Sequence, residues 1–554
     1  MKDKYTIGLD YGTLSGRGIL VRCSDGEVIG CEAKEYPHGV MTEKLPNGDE
    51  ILPSEWCLEH PKDYLDVLED VIVRLIQKSN VDKEDIIAIG VDFTACTVLP
   101  IDEDGLPLCM KKEFSGKRNA YVKLWKHHGA QKQADYINQV LEKLNLSHSA
   151  RFGGSVSPEV LIPKVLETIE EDIEIYEKSA EILEAGDWIT RIITGSHKRS
   201  CSMAAYKAWW NQEDGYPDTE LYKSINPRIE NIVQEKLTED ICGIGEEIGT
   251  LSKEWAAKLG LVEGIPVAPA IIDSHAGVPG SGVRRETQAM LVLGTSSVIV
   301  GLSRNPFSHK GIYGAVKDAI VPGYYALESG LAAVGDLFGW FANNCIPANY
   351  YDEAQKKNVD VFDLLNEKAE CLERGGTGLL VLDWWNGNKT PYVDGNLAGA
   401  IIGLTLNTKP EEIYLALIES TAFGTKVILD LYKGAGVKID EIVVSGGIAL
   451  KNPTLMQVYA DVLGIDLKLA KSSQAAALGS AIYATLAAGS KRGGYDDYQE
   501  AVMCMSEVKS QIYHFNLENK TKYDKLYKVY QKYSSLIGQE GKKILHELHM
   551  LKKF

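Results

Sequence analysis

The 554-residue chain has no C-x-x-C pair among its ten cysteines, so neither a zinc site nor a disulfide framework is indicated. No apolar run is long enough to span a membrane: the longest small-apolar stretch, AAALGSAIYATLAAG (475–489), is too short and carries Ser, Tyr and Thr. There is no excess of positive charge. The net charge of −18 argues against nucleic acid or an anionic membrane as main partner, but leaves a nucleotide open, because local groups read a nucleotide. No apolar signal segment follows the start MKDKYTIG, and the expected location is the cytoplasm. The absence of G-x-x-x-x-G-K-[ST] excludes a P-loop. GIGEEIG (243–249) fits G-x-G-x-x-G, yet two glutamates stand where a pyrophosphate would pass and no clear βαβ unit surrounds it. A dinucleotide-dependent oxidoreductase therefore lacks a fingerprint here.

What is present is an ordinary globular composition, 45% hydrophobic and 25% charged, at a length that favours two domains. In TIGLDYGTLSGRG (6–18) an alternating strand meets a Gly-Thr turn and returns as GILVR, a hairpin whose backbone N–H groups could hold phosphate. It carries a carboxylate, Asp10, two residues before the turn, and a bare carboxylate repels phosphate. Asp10 can reach phosphate only through a hard cation, so Mg²⁺ is expected between the two. The hairpin recurs half a chain later as MLVLGTSSVIVG (290–301), with Gly294 and Thr295 in place of Gly12 and Thr13. Each hairpin is followed by an amphipathic helix and a strand: KDYLDVLEDVIVRLIQKSN then EDIIAIGVDF, and EEIYLALIESTAFGTKVILDLY then KIDEIVVSGG. A duplicated α/β domain is the economical reading, divided at 1–281 and 282–554, with HAGVPGSGVRRET (275–287) as the hinge.

Further candidates follow the repeat. Gly446 and Gly447 end a strand before a helix expected over 453–463, where ligands of open α/β sheets bind and a purine or ribose can approach the backbone. Asp273 ends the apolar run GIPVAPAIID, where it can accept a proton from a substrate hydroxyl; the alternative is that it caps the next helix. His275 is the rival base. The tail NKTKYDKLYKVYQKY reads as a packed helix with Tyr523, Tyr527 and Tyr530 inward and its lysines solvated.

Taken together, the Asp10–Gly12–Thr13 hairpin, Gly294–Thr295, IIDSHAG and SGGIALKNPTLMQVYADVLG resemble the FGGY carbohydrate kinases over essentially the whole chain. The resemblance implies two ribonuclease-H-like (actin-like ATPase) domains around a cleft that binds ATP and Mg²⁺. GVDFTACTVLPID (90–102), LWKHHGAQKQAD (124–135), FGGSVSPEVLIPKVLE (152–167) and LDWWNGNKTPYVDGNL (382–397) are similar to the branch that phosphorylates L-ribulose on its 5-hydroxyl in arabinose catabolism. D-Ribulose, D-xylulose and ribitol are the alternative substrates. Carried over by residue, Asp10 lies near Mg·ATP, with Gly12 and Thr13 at the phosphates. Gly294 and Thr295 hold the β/γ-phosphates, while Gly446, Gly447 and Asn452 line the adenosine site. Asp273 is the base, and the Ala95 backbone, Lys207 and Glu328 bind the ketopentose. Read from pattern alone, Lys207 is a helix-surface lysine and Glu328 ends a strand; Trp384 and Trp385 are ordinarily core. The expected partners are a sugar and MgATP, and a homodimer is left open. The same fold also builds ATP-switched binding proteins, a second class kept in view.

Overall fold

The computed structural model describes residues 2–48, 50–144 and 154–552, with the side chains of Gly314, Ala315 and Lys552 outside the description. The first two residues of the stretch 152–167 therefore lie outside it as well.

The two expected hairpins open two sheets of the same topology. In the first, β1 (Tyr5–Tyr11) pairs antiparallel with β2 (Ser15–Arg22), which pairs antiparallel with β3 (Val28–Glu35). On its other side β1 runs parallel to β4 (Ile86–Phe93). The full order is β5 (Gly249–Thr250), β6 (Pro266–Val267), β4, β1, β2, β3, with β7 (Ile271–Ile272) also beside β4. In the second sheet β8 (Gln288–Leu293) pairs antiparallel with β9 (Ser297–Ser303), which lies against β11 (Tyr325–Leu331), with β10 (Tyr313–Lys317) at the edge. β8 runs parallel to β12 (Glu441–Ser445), followed by β13 (Leu467–Ala470) and β14 (Val508–Tyr513). The run β3-β2-β1-β4 of the first sheet thus has its counterpart in β11-β9-β8-β12 of the second, where β10 is added at the edge, as the repeated hairpins imply.

Period-two alternation decides what faces the cleft. Ile7, Leu9 and Tyr11 point toward α1 (Pro61–Ser79), whose Tyr64, Val67, Leu68, Val71, Ile72 and Leu75 form a buried stripe at helical spacing. Thr6, Gly8 and Asp10 point the other way, toward α7 (Ala475–Ala488) of the second half. Thr6 Oγ1 donates to the Ala481 carbonyl at 3.1 Å. A Cβ on Gly8 would lie 1.9 Å from the Ala477 carbonyl oxygen, so only glycine admits this helix. One face of β1 builds the core, while the other carries Asp10 to the junction of the halves.

That junction is made by two small-residue helices. α4 (Asp273–Gly280) packs along α7, and each needs glycine where they touch: a Cβ on Gly479 would meet the Ala276 carbonyl at 1.7 Å, and one on Gly280 the Ala475 carbonyl at 1.8 Å. Much of the segment expected as a hinge is therefore this packed helix, its small residues serving close contact. Gly282, at φ 85°, is where the chain leaves it. Between β4 and β6 an inserted lobe with its own apolar core carries α2 (Leu161–Glu171) and, beyond it, α3 (Cys201–Lys207). The second half closes with α5 (Pro410–Gly434), α6 (Pro453–Leu463) and α8 (Leu517–Ser535). Tyr523, Tyr527 and Tyr530 of α8 are buried, their hydroxyls donating to Glu419, Asp430 and Asp383 at 3.0, 2.7 and 2.8 Å. No helix of the described residues is long and apolar enough to cross a membrane.

Candidate functional site

A cavity of about 500 Å³ lies where the halves meet. Its walls include Asp10, Gly12 and Arg17 from the first hairpin and Asp273 and Ser274 from the start of α4. The second half supplies Val292 and Val298, Ser445 to Gly447, and Ser472 and Ser473. Of the residues singled out by sequence, Asp10, Gly12, Asp273, Gly446 and Gly447 are thus brought together.

Asp10 and Arg17 are cross-strand partners in the β1–β2 register, and Arg17 Nε stands 3.4 Å from Asp10 Oδ2. On the other side Asp10 is in register with Asp92 of β4. Burial pushes the Asp10 carboxyl up, and Arg17 together with a hydrogen bond to Asp92 draws it back. Asp92 is fully buried and pushed well above the carboxylate range by desolvation and by Asp10. Its Oδ2 accepts from Ser480 Oγ of α7 at 2.6 Å. Arg17 and Asp92 were not anticipated. Both could have been: Arg17 is in TIGLDYGTLSGRG opposite Asp10, and Asp92 ends the strand that follows the first helix.

Among the described residues no group of three or more His, Cys, Asp or Glu side chains could hold a metal ion. A single carboxylate beside a glycine turn suits Mg²⁺, which keeps several waters and takes phosphate oxygens as its other ligands. Asp10, 8% exposed at the cavity wall, fits that part.

Asp273 opens α4 rather than capping it. The N-cap position belongs to Ile272, and the Asp273 carboxylate accepts from the adjacent Ser274 amide at 2.6 Å. Burial and the charges of Asp10 and Glu328 push its pKa up to about 7, against the Ser274 bond and Lys207. An ordinary carboxyl pKa suffices for a late proton acceptor, and this one lies above it. His275, the rival, is fully buried, with Nε2 2.6 Å from Glu328 Oε2 and its ring against Tyr206. Its Nε2 is committed to Glu328.

Glu328 lies in mid-strand, not at a strand end, with Tyr313 and Val300 as its neighbours in register. Burial would raise its carboxyl, but the His275 bond and the Lys207 and Lys389 charges keep it ionised. Lys207 is not a solvated surface lysine. It ends α3 in the cleft, where the charges of Glu328 and Glu159 hold its ammonium protonated against the cost of burial. Ala95 sits in the turn after β4, beside Cys96.

The remaining positions are placed differently. Thr13 Oγ1 accepts from Trp125 Nε1 at 3.1 Å. The Gly294–Thr295 turn is anchored to the next helix, with Gly335 N donating to the Gly294 carbonyl at 2.9 Å. Gly446, at φ 103°, packs so closely on that hairpin that a Cβ would lie 2.2 Å from the Leu293 carbonyl. Asn452, expected at the adenosine wall, is not among the residues that line the cavity. It is 8% exposed and caps α6, its Oδ1 accepting from Leu455 N at 2.9 Å and its Nδ2 donating to Tyr414 at 2.8 Å. Its amide is committed to the fold. Trp384 is fully buried core.

Comparison with known proteins gives the family and the fold. Residues 5–280 match the N-terminal domain model of the FGGY family of carbohydrate kinases, and 289–488 the C-terminal domain model. A ribulokinase of Bacillus licheniformis is 45% identical over 97% of this chain and 98% of its own. One from Halalkalibacterium halodurans is 44% identical over 100% and 98%. Among solved structures, the xylulose kinase of Rhodospirillum rubrum superposes with a TM-score of 0.80 at 21% identity, covering 98% of this chain and 100% of its own. Plasmodium falciparum glycerol kinase with ADP gives 0.75 at 17% identity, covering 96% and 98%, a likeness of fold. The chain belongs to the FGGY family of carbohydrate kinases, phosphotransferases that act on a sugar hydroxyl.

Proposed function

We propose that this protein transfers the γ-phosphoryl group of ATP to the 5-hydroxyl of L-ribulose. One observation carries the reading: Asp273 is at once a wall of the cavity that holds Asp10 and the Gly446–Gly447 turn, and within the electrostatic reach of Lys207 and Glu328. The carboxylate thus stands between the group suited to MgATP and the pair suited to a sugar. Ribulokinases with 38–45% identity over nearly the whole chain support a ribulose over D-xylulose and ribitol.

In this reading the adenosine end lies against Gly446 and Gly447, where glycine lets the ligand approach the main chain. The phosphates run between the Gly12–Thr13 and Gly294–Thr295 turns. Asp10 would hold Mg²⁺, which would supply positive charge against the phosphate oxygens. Lys207, Glu328 and the Ala95 main chain orient the sugar. Asp273 accepts the proton of the 5-hydroxyl as its oxygen bonds phosphorus and the bond to ADP breaks. A halved chain, 1–281 and 282–554, closes on both substrates and excludes water as rival nucleophile.

Phosphorus NMR of the product tests the assignment. A phosphate ester coupled to the two C5 protons of L-ribulose is expected, and an ester at any other carbon overturns it.

A further inference from the structure

The turn after β4 that carries Ala95 is strained. Cys96 adopts φ 51°, a left-handed conformation that costs a non-glycine residue roughly 1 kcal/mol or more, and it persists only if its surroundings hold it. Thr94 and Thr97 share a hydroxyl contact of 2.7 Å across the turn, and the Ala185 amide donates to the Thr97 carbonyl at 2.7 Å. Neither grips Cys96 itself. Its carbonyl is taken by Lys164 Nζ, at 2.6 Å, from α2 of the inserted lobe.

Lys164 is 1% exposed, and its other two bonds also go to main-chain carbonyls, Leu124 at 2.8 Å and Lys123 at 3.4 Å. Three converging carbonyls need three donors and no acceptor, which an ammonium supplies. A charge is costly at such a depth unless the site uses it. The two partner segments give the use. Cys96 follows Ala95, and Leu124 precedes Trp125, whose indole N–H meets Thr13 of the phosphate hairpin. One ammonium therefore ties the sugar turn to the segment that touches the hairpin.

We infer that Lys164 is a positioning residue for the sugar: it holds the left-handed turn so that the Ala95 main chain faces the substrate. The inference rests on the reading of that turn as a sugar contact. Lys164 touches no substrate and acts through the geometry of Cys96.

The test is steady-state kinetics of the full chain with Lys164→Met, against Val165→Ala as a buried neighbour on the same helix that makes no bond to the turn. Misplacement of a contact by a fraction of an ångström predicts a rise in the L-ribulose KM of at least about tenfold. The ATP KM should stay within about twofold, and kcat should fall less than the sugar KM rises. Val165→Ala should leave both KM values within about twofold. Lys164→Arg keeps charge and donors in a flat fork that cannot meet all three carbonyls, so its sugar KM should lie between wild type and Lys164→Met. It carries the test alone if the methionine variant does not fold. A sugar KM within twofold of wild type in the folded variant, or equal rises in both KM values, overturns the assignment while the sugar reading stands. A wild-type protein without sugar-stimulated turnover removes both.

Discussion

Asp273 ionises less readily than an ordinary aspartate because Asp10 and Glu328 share its low-dielectric surroundings. As proton acceptor it must be ionised, so the acidic limb of the rate profile belongs to it. Asp273→Asn should keep MgATP affinity and lose at least about 100-fold in turnover; near-normal turnover would refute the base assignment. The raised pKa also acts on stability. A carboxyl at about 7 in the folded chain, against 3.8 ordinarily, favours folding fully below the ordinary value, and that contribution is lost as pH rises through about 7. Asp273→Asn should therefore melt above wild type at pH 8. The gap should open between about pH 4 and 7 and stay flat beyond; a lower melting temperature at pH 8 would contradict it. Asp10, Asp273 and the turn glycines were legible because strand ends and paired hairpins mark them. Lys207 was not, since a lysine ending a short helix looks the same whether it faces water or a cleft. Nor was the His275–Glu328 pair, whose partners are brought together only by the packing of α4 on the second sheet.

Among the elements, α6 shows how a motif residue can serve the fold. Asn452 spends its amide on Leu455 and Tyr414, so Asn452→Ala should cost about 1 kcal/mol of stability and leave the ATP KM within about twofold. Thermal melts and ATP titrations decide it: a tenfold weaker ATP KM with an unchanged melt would restore the adenosine contact. The hairpins, α1 and α6 stood out in the sequence because their periodicity is long and their ends are marked by Pro, Gly and Asn. β7 did not, because only Ile271 and Ile272 pair before the chain turns into α4, and an apolar run alone does not show where pairing stops. The position of Glu328 failed for a related reason: β11 continues to Leu331 through Ser329 and Gly330, small residues that read as a strand end.

The whole molecule is two copies of one sheet plan joined through α4 and α7. Their contact has no room: a methyl added at Gly479 would run into the Ala276 carbonyl. Gly479→Ala should destabilise by about 1–3 kcal/mol or more in denaturant melts, and a neutral result would mean the helices sit farther apart. The duplication was visible as repeated hairpins. The exchange of helices across the junction was not, because both helices are small-residue runs, and such runs suit hinges and tight helix pairs alike. The junction matters for function because it brings Asp10, Asp273 and Gly446 to one cavity.

The most direct test of the account is ADP release from MgATP with L-ribulose, D-ribulose, D-xylulose, ribitol and glycerol, each against a sugar-free blank. Strong turnover with L-ribulose over a quiet blank is expected. Full-speed hydrolysis in the blank, or nucleotide binding without stimulation by any sugar, would contradict it and point to an ATP-switched binding protein.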